Sequence, residues 1–342
     1  MRLAKWSLTS ACILAILLAI AITFTIGWRP ILGPKLRPLT AHTFERTPQR
    51  LERGRYIATS LSGCLYCHSP HDWNAPGTPF VPGKEGSGEV LPYADLPGRV
   101  VAPNLTADPE TGAGRWSDDQ FARAIREGIG HDGRALFPIM PYLRYRQMSD
   151  EDLASVVVYL RSLTPVRNEL PKTEIIFPVK YLIRSGPEPV TSSVPDLPAA
   201  SSAVVRGAYL VNMAACSDCH TPQEKGHDLP NMAFAGGFPF PGPWGYVVSA
   251  NITPDASGIP YYDEALFVSV LRTGSVKARP LSPVMPVKVY KNLSDDDLKL
   301  MFAYLSALKP VQHRVDNSEP PTFCRLCRQK HGGGDRNESA VP

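Results

Sequence analysis

The sequence has little net charge and no concentrated basic region. Its 342 residues carry 36 Lys and Arg against 32 Asp and Glu, and the excess of four positive charges is spread along the whole chain. Proteins that bind nucleic acids typically cluster their basic residues on one face, so the sequence excludes that class. A sustained alternation of apolar and polar residues, which would predict half-buried strands, is also lacking. We therefore expect a mainly helical protein.

Proline is the residue in excess. The chain has 35 Pro and 26 Gly, together about 18% of its residues, below the roughly 25–30% that is typical of a disordered chain. Proline is disfavoured inside helices and central strands, so the composition predicts long ordered loops. The length is sufficient for two domains of roughly 100–200 residues each.

The N-terminal segment predicts the compartment. Residues 6–28 carry no charge and lie between Lys5 and Arg29, and about 20 apolar residues in a helix can cross a bilayer. We interpret residues 1–28 as an uncleaved N-terminal transmembrane helix. The chain would then be a single-pass protein of a bacterial inner membrane, with its other domains in the periplasm. The alternative is a cleaved secretory signal, because Ala19-Ile20-Ala21 has the small-x-small form of a cleavage site.

Six of the seven cysteines form three C-x-x-C pairs. Two pairs are followed by histidine, as Cys64-Leu65-Tyr66-Cys67-His68 and Cys216-Ser217-Asp218-Cys219-His220. C-x-x-C-H is the attachment signature of c-type haem, because two thiols one helical turn apart add to the vinyl groups and the histidine offers its imidazole to the iron. A redox disulfide or half of a zinc site would explain one C-x-x-C pair. Two C-x-x-C-H copies predict two covalently bound haem c groups, which are attached in an oxidising compartment.

The third pair differs from the other two. Cys324 and Cys327 are followed by Arg328, which cannot ligate iron, so we expect no third haem. We interpret this pair as a local disulfide in a flexible C-terminal tail, residues 313–342. A weak metal site that also uses His331 is the alternative.

The two halves of the chain repeat each other. The matching segments follow in the same order at a nearly constant spacing, as duplication and loop trimming would leave them. These segments are Arg53-Gly54-Arg55-Tyr56 with Arg206-Gly207-Ala208-Tyr209, Asn104-Leu105-Thr106 with Asn251-Ile252-Thr253, Pro138-Ile139-Met140-Pro141 with Pro283-Val284-Met285-Pro286, and Ser149 with Ser294. We predict an all-α fold of two tandem domains, residues 49–165 and 204–312. Residues 29–48 form a linker before the first domain, and 166–203 form a Pro-rich linker that is short enough for the domains to touch.

Helix signals recur in each half. Ser117, followed by two aspartates, precedes one apolar stripe, and Asp263 precedes its counterpart. The last helix of each half begins at a serine followed by acidic residues, Ser149 and Ser294. Such residues satisfy free N–H groups and interact favourably with the helix dipole.

Met140 and Met285 are the candidate second axial ligands. Each lies between two prolines at an equivalent position of the duplication, and prolines stiffen the loop that would hold the thioether. Gap-filling core methionine is the alternative. Paired with His68 and His220, the two methionines would fill both axial positions of each iron. Such a site moves electrons and leaves no open position for a substrate.

These residues resemble the class I cytochrome c superfamily, and most of all the cytochrome c subunits of bacterial membrane-bound alcohol and aldehyde dehydrogenases. The likeness covers residues 50–312 and rests on the C-x-x-C-H motifs, the repeated Asn-x-Thr segments and the Pro-x-Met-Pro segments. It implies a non-catalytic electron-transfer subunit. The donor would be a periplasmic or membrane-bound dehydrogenase, and the acceptor a quinone, a cytochrome or a terminal oxidase. It also implies that the carbonyls of Pro70 and Pro222 accept the second N–H of the haem histidines.

Two other functions stay open at the level of sequence. A dihaem peroxidase-like enzyme would need one haem with an open or displaceable ligand. A fixed haem subunit of a terminal oxidase complex would use the same haem chemistry as a carrier, and co-purification would distinguish the two. The subunits that the chain resembles commonly carry three haems, whereas two are predicted here.

Overall fold

The computed structural model of the protein describes residues 2–75, 78–242 and 244–337. Its α-helices, in chain order, are α1 (Arg2–Phe24), α2 (Arg29–Leu32), α3 (Pro48–Tyr56), α4 (Cys64–Cys67), α5 (Asp118–Glu127), α6 (Tyr142–Tyr145), α7 (Asp150–Leu160), α8 (Val179–Leu182), α9 (Ala203–Met213), α10 (Cys216–His220), α11 (Glu264–Thr273), α12 (Val287–Tyr290) and α13 (Asp295–Ser306). A π-helical turn, Ile57–Leu61, continues α3. Two 3₁₀ turns lie at Ile183–Ser185 and Gly334–Arg336.

The prediction of an all-α fold is wrong, because short antiparallel strand pairs accompany the helices. In the described parts of the chain these pairs are β1 (Glu89–Val90) with β3 (Val101–Ala102), β2 (Gly98–Arg99) with β4 (Glu174–Ile175), β5 (Gln223–Glu224) with β6 (His227–Asp228), β7 (Pro239–Gly242) with β8 (Gly245–Val248), β9 (Ser275–Val276) with β10 (Arg279–Pro280), and β11 (Pro321–Phe323) with β12 (Lys330–Gly332). Each strand has between two and four residues. An alternating sequence pattern needs about 4–8 residues to be recognised, so strands of this length leave none.

The predicted N-terminal transmembrane helix is also wrong. Among the residues that the structure describes, no helix combines the length and the apolar character needed to cross a bilayer. The prediction treated residues 6–28 as one apolar helix, whereas α1 ends at Phe24. The chain then turns at Gly27, whose N–H donates to the carbonyl of Ile22. The uncharged residues 25–28 therefore do not lengthen the helix.

The duplication is visible in the order of the helices, since α9 to α13 repeat α3 to α7. The predicted helix starts are confirmed. Ser149 Oγ accepts the N–H of Asp152 at the start of α7, and Ser294 Oγ accepts the N–H of Asp297 at the start of α13. Ser117 caps α5 in the same way. Each cap satisfies a backbone N–H that the helix itself cannot pair.

The first and last helices of each domain cross at a glycine. A Cβ atom on Gly54 of α3 would lie 1.9 Å from the carbonyl oxygen of Ser155 in α7, and one on Gly207 of α9 would lie 1.9 Å from that of Leu300 in α13. Both distances are far inside van der Waals contact, so the backbones can approach this closely only where a side chain is missing. Around these crossings the core buries Ile57, Leu61, Val157, Leu160, Leu210, Met213, Leu298, Met301 and Leu305.

Each domain completes the start of the other domain's last helix. Tyr209 of α9 reaches α7, where its hydroxyl accepts the N–H of Ser149 (3.2 Å) and donates to the carboxylate of Asp152 (2.7 Å). The equivalent contacts on α13 are those of Tyr56 with Ser294 (3.0 Å) and Asp297 (2.5 Å). The two domains are therefore in contact, as the short linker predicts, and the contact is reciprocal.

Alanine at either crossing glycine is expected to destabilise the protein. In Gly207→Ala the new Cβ would overlap the Leu300 carbonyl, and in Gly54→Ala that of Ser155, so we expect a loss of about 1–3 kcal/mol or more in the free energy of unfolding. Denaturant unfolding followed by far-UV circular dichroism measures this loss. Val204→Ala, at an exposed position of the helix that holds Gly207, is the control and should change the free energy by about 0.5 kcal/mol or less. Equal stability of the variant and control proteins would contradict the close crossing.

Candidate functional site

Both C-x-x-C-H motifs begin directly after a residue in the left-handed backbone region. Gly63 has φ 59° and ψ 34° before α4, and Ala215 has φ 52° and ψ 31° before α10. This turn ends the first helix of each domain and starts a new short helix. The two cysteines of each motif then lie one turn apart, and all four thiols are free of disulfide bonds. This is the spacing that addition to two vinyl groups requires.

The motif histidines both face backbone carbonyls. Nδ1 of His68 lies 2.8 Å from the oxygen of Pro103, and Nδ1 of His220 lies 2.8 Å from that of Ala250. Donation from Nδ1 fixes the tautomer in which Nε2 has a free lone pair, the form that ligates a metal. Burial lowers the pKa of both histidines, and this effect exceeds the opposing effect of the hydrogen bond to the carbonyl. The lowered pKa favours the neutral imidazole. The residues present therefore fit a c-type haem at each motif.

The expected carbonyl acceptors were wrong. Pro70 and Pro222 use their carbonyls to accept backbone N–H groups of their own loops. The observed acceptors, Pro103 and Ala250, lie farther along the chain, directly before the repeated Asn-x-Thr segments. That repeat is the sequence signal that could have found them.

The repeated asparagine holds the loop that receives the histidine N–H. Asn104 Oδ1 accepts the N–H (2.9 Å) and the hydroxyl (2.6 Å) of Thr106, while Nδ2 donates to the carbonyl of Val166 (2.8 Å). The second domain repeats these contacts through Asn251 with Thr253 (2.9 and 2.8 Å) and Val311 (2.8 Å). Both valines follow the last helix of their domain. The asparagine therefore fixes the acceptor loop to the end of the domain and indirectly positions the histidine.

Met140 and Met285 lie in loops of the same conformation. Each methionine is half-buried against the core. In both loops the methionine N–H donates three residues back and its carbonyl accepts from two residues ahead. The bonded residues are Phe137 (3.1 Å) and Tyr142 (2.8 Å) for Met140, and Ser282 (3.0 Å) and Val287 (2.7 Å) for Met285.

A tyrosine ties each methionine loop to the haem motif of its own domain. Tyr145, in the helix that follows Met140, donates to the carbonyl of Ser62 at 3.0 Å, just before the first motif. Tyr290 donates to the carbonyl of Ala214 at 2.7 Å, just before the second. The structure thus places each predicted methionine in the same domain as its motif and in a segment hydrogen-bonded to it.

Each motif has a contact with the other domain. The hydroxyl of Tyr66, inside the first motif, donates to the carbonyl of Pro283 in the second domain at 3.5 Å. Arg144 of the first domain also pairs with Asp218, inside the second motif, at 2.5 Å. A cofactor on one motif would therefore lie close to a cofactor on the other.

Comparison with known proteins agrees with this geometry. A family model described as cytochrome c matches residues 51–164, which contain the first C-x-x-C-H motif, Asn104 and Met140. Residues 51–164 belong to the cytochrome c family. This cytochrome therefore carries covalently bound haem c and transfers electrons.

Several relatives match most of the chain. The cytochrome is 33% identical over 307 residues to a subunit of the nicotinate dehydrogenase of Pseudomonas putida, covering 83% of this chain and 23% of that protein. It is 27% identical over 288 residues to the cytochrome c subunit of alcohol dehydrogenase (quinone) of Gluconobacter oxydans, covering 79% and 57%. It is also 27% identical over 261 residues to a diheme cytochrome c-type protein of Cereibacter sphaeroides, covering 73% and 83%. The chain thus spans less than two thirds of the two dehydrogenase subunits.

Removing the loop-holding asparagine is expected to destabilise the cytochrome. Asn251→Ala leaves the buried N–H of Thr253 and the carbonyl of Val311 without this partner, at a cost of about 1–3 kcal/mol, and Asn104→Ala should act alike in the first domain. Thermal unfolding of the haem-loaded protein measures the change. Asn74→Ala, at an exposed position, is the control and should leave the transition unchanged. An unchanged transition in Asn251→Ala as well would mean that the asparagine does not hold the loop.

Proposed function

We propose that this cytochrome is a dihaem electron carrier that passes electrons from a periplasmic dehydrogenase towards the respiratory chain. The observation that carries the proposal is the pair of C-x-x-C-H motifs, each with its histidine held by a backbone carbonyl in the ligating tautomer and each in contact with the other domain. A single motif would suffice for binding one haem. Two motifs that both lie at the domain interface suit transfer of an electron from one site to the other.

The ligand sets follow from the duplication. The first haem would be held by Cys64, Cys67, His68 and Met140, and the second by Cys216, Cys219, His220 and Met285. Bound haem c supplies an iron that gains or loses one electron. The cysteines fix the haem covalently, the carbonyls orient the imidazoles, and the prolines beside each methionine restrain the loop that holds its sulfur. Histidine and methionine together leave no axial position for peroxide, which favours a carrier over a peroxidase-like enzyme.

The donor and acceptor are proposed by analogy with the relatives. Two of these are by name subunits of dehydrogenases that act on nicotinate and on alcohols. We propose a dehydrogenase as the donor, and a quinone, a cytochrome or a terminal oxidase as the acceptor. Covalent haem attachment at C-x-x-C-H needs an oxidising compartment, which supports a periplasmic location for both haem domains.

The methionine ligands can be tested by spectroscopy. The oxidised protein, shown by intact mass to carry two haems, is expected to have the weak charge-transfer absorption of sulfur-ligated ferric haem. Met140→Leu and Met285→Leu should each halve this band, because leucine preserves the volume of the side chain but not the sulfur. Met148→Leu changes a core methionine that has no counterpart in the second domain, and it should keep the full band. Full absorption in both ligand variants would place the axial ligands elsewhere.

The partner can be tested by affinity purification. The tagged cytochrome, isolated from cells of its source organism and identified by mass spectrometry, is expected to bring a dehydrogenase with it. The reduced substrate of that dehydrogenase should then reduce both haems in the purified complex. Capture of terminal oxidase subunits in constant stoichiometry, without a dehydrogenase, would instead favour a fixed oxidase subunit. Rapid peroxide turnover by the purified protein would favour an enzyme.

A further inference from the structure

The chain beyond α13 brings two histidines and two cysteines together. The cluster consists of His313, Cys324, Cys327 and His331, and its four ligating atoms all lie within 4.8 Å of one another. Nε2 of His313 is 3.4 Å from Sγ of Cys324, and Nε2 of His331 is 3.3 Å from Sγ of Cys327. The thiols are not joined in a disulfide, contrary to the interpretation of this C-x-x-C pair from sequence.

The four side chains are buried and already oriented. His313, Cys324 and Cys327 are 0% exposed and His331 is 1% exposed. Nδ1 of His313 lies 2.8 Å from the carbonyl oxygen of Ala235, and Nδ1 of His331 lies 3.1 Å from that of Gly332. In each imidazole, Nδ1 therefore donates to a backbone carbonyl and Nε2 faces a cysteine sulfur. Metal-ligating histidines characteristically have such a partner on the other ring nitrogen.

We propose that His313, Cys324, Cys327 and His331 bind one structural Zn²⁺ ion. Zinc prefers four nitrogen and sulfur ligands in a tetrahedron, and its usual bond lengths separate the ligand atoms by about 3.3–3.8 Å. The two measured nitrogen–sulfur distances agree with this separation. Two thiolates also neutralise the charge of the ion, so that the loaded site can be buried at little electrostatic cost. Calcium and magnesium select oxygen ligands and do not suit this donor set.

A bound ion explains how this short segment holds its shape. The hairpin of β11 and β12 has strands of three residues, and an isolated two-stranded hairpin is marginally stable at best. The apolar cluster beneath it is small, with Cys324 and Cys327 among its buried members next to Met232 and Ala235. Metal ligation supplies folding free energy where the apolar core is small.

The first domain has a different residue at the position equivalent to His313. The backbone N–H of His313 donates to Ser257 Oγ at 2.8 Å, and that of Asn168 donates to Thr111 Oγ1 at 2.9 Å. Asn168 thus takes the place of His313 in the first domain. Its side-chain amide donates to the carbonyl of Ser87 at 2.9 Å, much as His313 donates to Ala235. Asparagine at position 313 can therefore keep this backbone contact without offering a nitrogen to a metal.

The site also adjoins the second haem motif. Ala235, which accepts from His313, is followed by Gly236, whose N–H donates to the carbonyl of His220 at 2.7 Å. At Gly237 a Cβ atom would lie 2.7 Å from the His313 ring and 3.3 Å from Cβ of Cys327. The loop thus packs directly on the proposed zinc ligands and is hydrogen-bonded to the backbone of the haem histidine.

Metal analysis tests the proposal directly. The haem-loaded protein, purified without chelators, is expected to contain about one zinc per chain by inductively coupled plasma mass spectrometry, normalised to protein rather than to iron. His313→Asn and Cys324→Ser should each lower zinc at least tenfold while the haem content stays unchanged. His227→Ala, an exposed histidine of the same domain, is the matched control and should retain zinc. Absence of zinc from the wild-type protein, or stoichiometric copper or iron at this site, would overturn the proposal.

A titration of the wild-type ligands covers the case in which the variants fail to fold. In a Cys12→Ser background, Cys324 and Cys327 are the cysteines left outside the two haem motifs. About two equivalents of an organomercurial should then release about one equivalent of zinc, detected with a chromogenic chelator. Limited proteolysis should cut the segment after His313 faster once the metal has left. Thiols that do not react because they form a disulfide would refute the site.

Discussion

The close crossing of the first and last helices is the constraint on which each half of the duplication is built. At Gly54 and Gly207 the backbone of one helix lies against a carbonyl of the other, so the angle and depth of the crossing leave little freedom. The first helix then ends at a left-handed turn, and the C-x-x-C-H motif follows at once. The position of the cysteines is therefore set by the crossing a few residues earlier, before any cofactor is attached.

The last helix transmits the same constraint to the other side of the site. The segment after it carries Val166 in the first domain and Val311 in the second, and each valine carbonyl binds the asparagine of the acceptor loop. That loop in turn provides the carbonyl that faces the motif histidine. A series of hydrogen bonds, which passes through the asparagine side chain, thus joins the segment after the last helix to the imidazole. Both domains contain the whole chain of contacts, which explains why these segments recur in the sequence.

Local patterns were predictable because their physical causes lie within a few residues. The motif histidines, the paired methionine loops and the serine caps of α7 and α13 were all visible as short repeats. The strand pairs were missed because strands of two to four residues carry too few side chains to form a pattern. The membrane helix was wrongly predicted because lack of charge does not show where a helix ends, here at Phe24.

Contacts between distant segments could not be predicted. The carbonyl acceptor of His68 is separated from it by the whole loop up to Pro103, whereas the resemblance to known cytochromes implied Pro70. The surroundings of Cys324 depend on contacts of the same kind. Its sulfur contacts His313, which lies before strand β11, and His313 in turn contacts the carbonyl of Ala235, in another part of the domain. Every residue has a backbone carbonyl, so the residue type does not show which carbonyl accepts a hydrogen bond. Only the repeat of the neighbouring asparagine marked where such an acceptor would be.

Tyr56 and Tyr209, each of which contacts the last helix of the other domain, affect the order in which the two domains can be completed. Tyr209, which is synthesised long after α7, accepts the N–H of Ser149 at the start of that helix. Tyr56, near the beginning of the chain, accepts the N–H of Ser294 at the start of α13. Domains commonly fold one after another as the chain is synthesised. Here the start of α7 lacks its contacts with Tyr209 until α9, the first helix of the second domain, has been synthesised. The two halves of this duplicated protein therefore reach their final form together, although one of them is synthesised first.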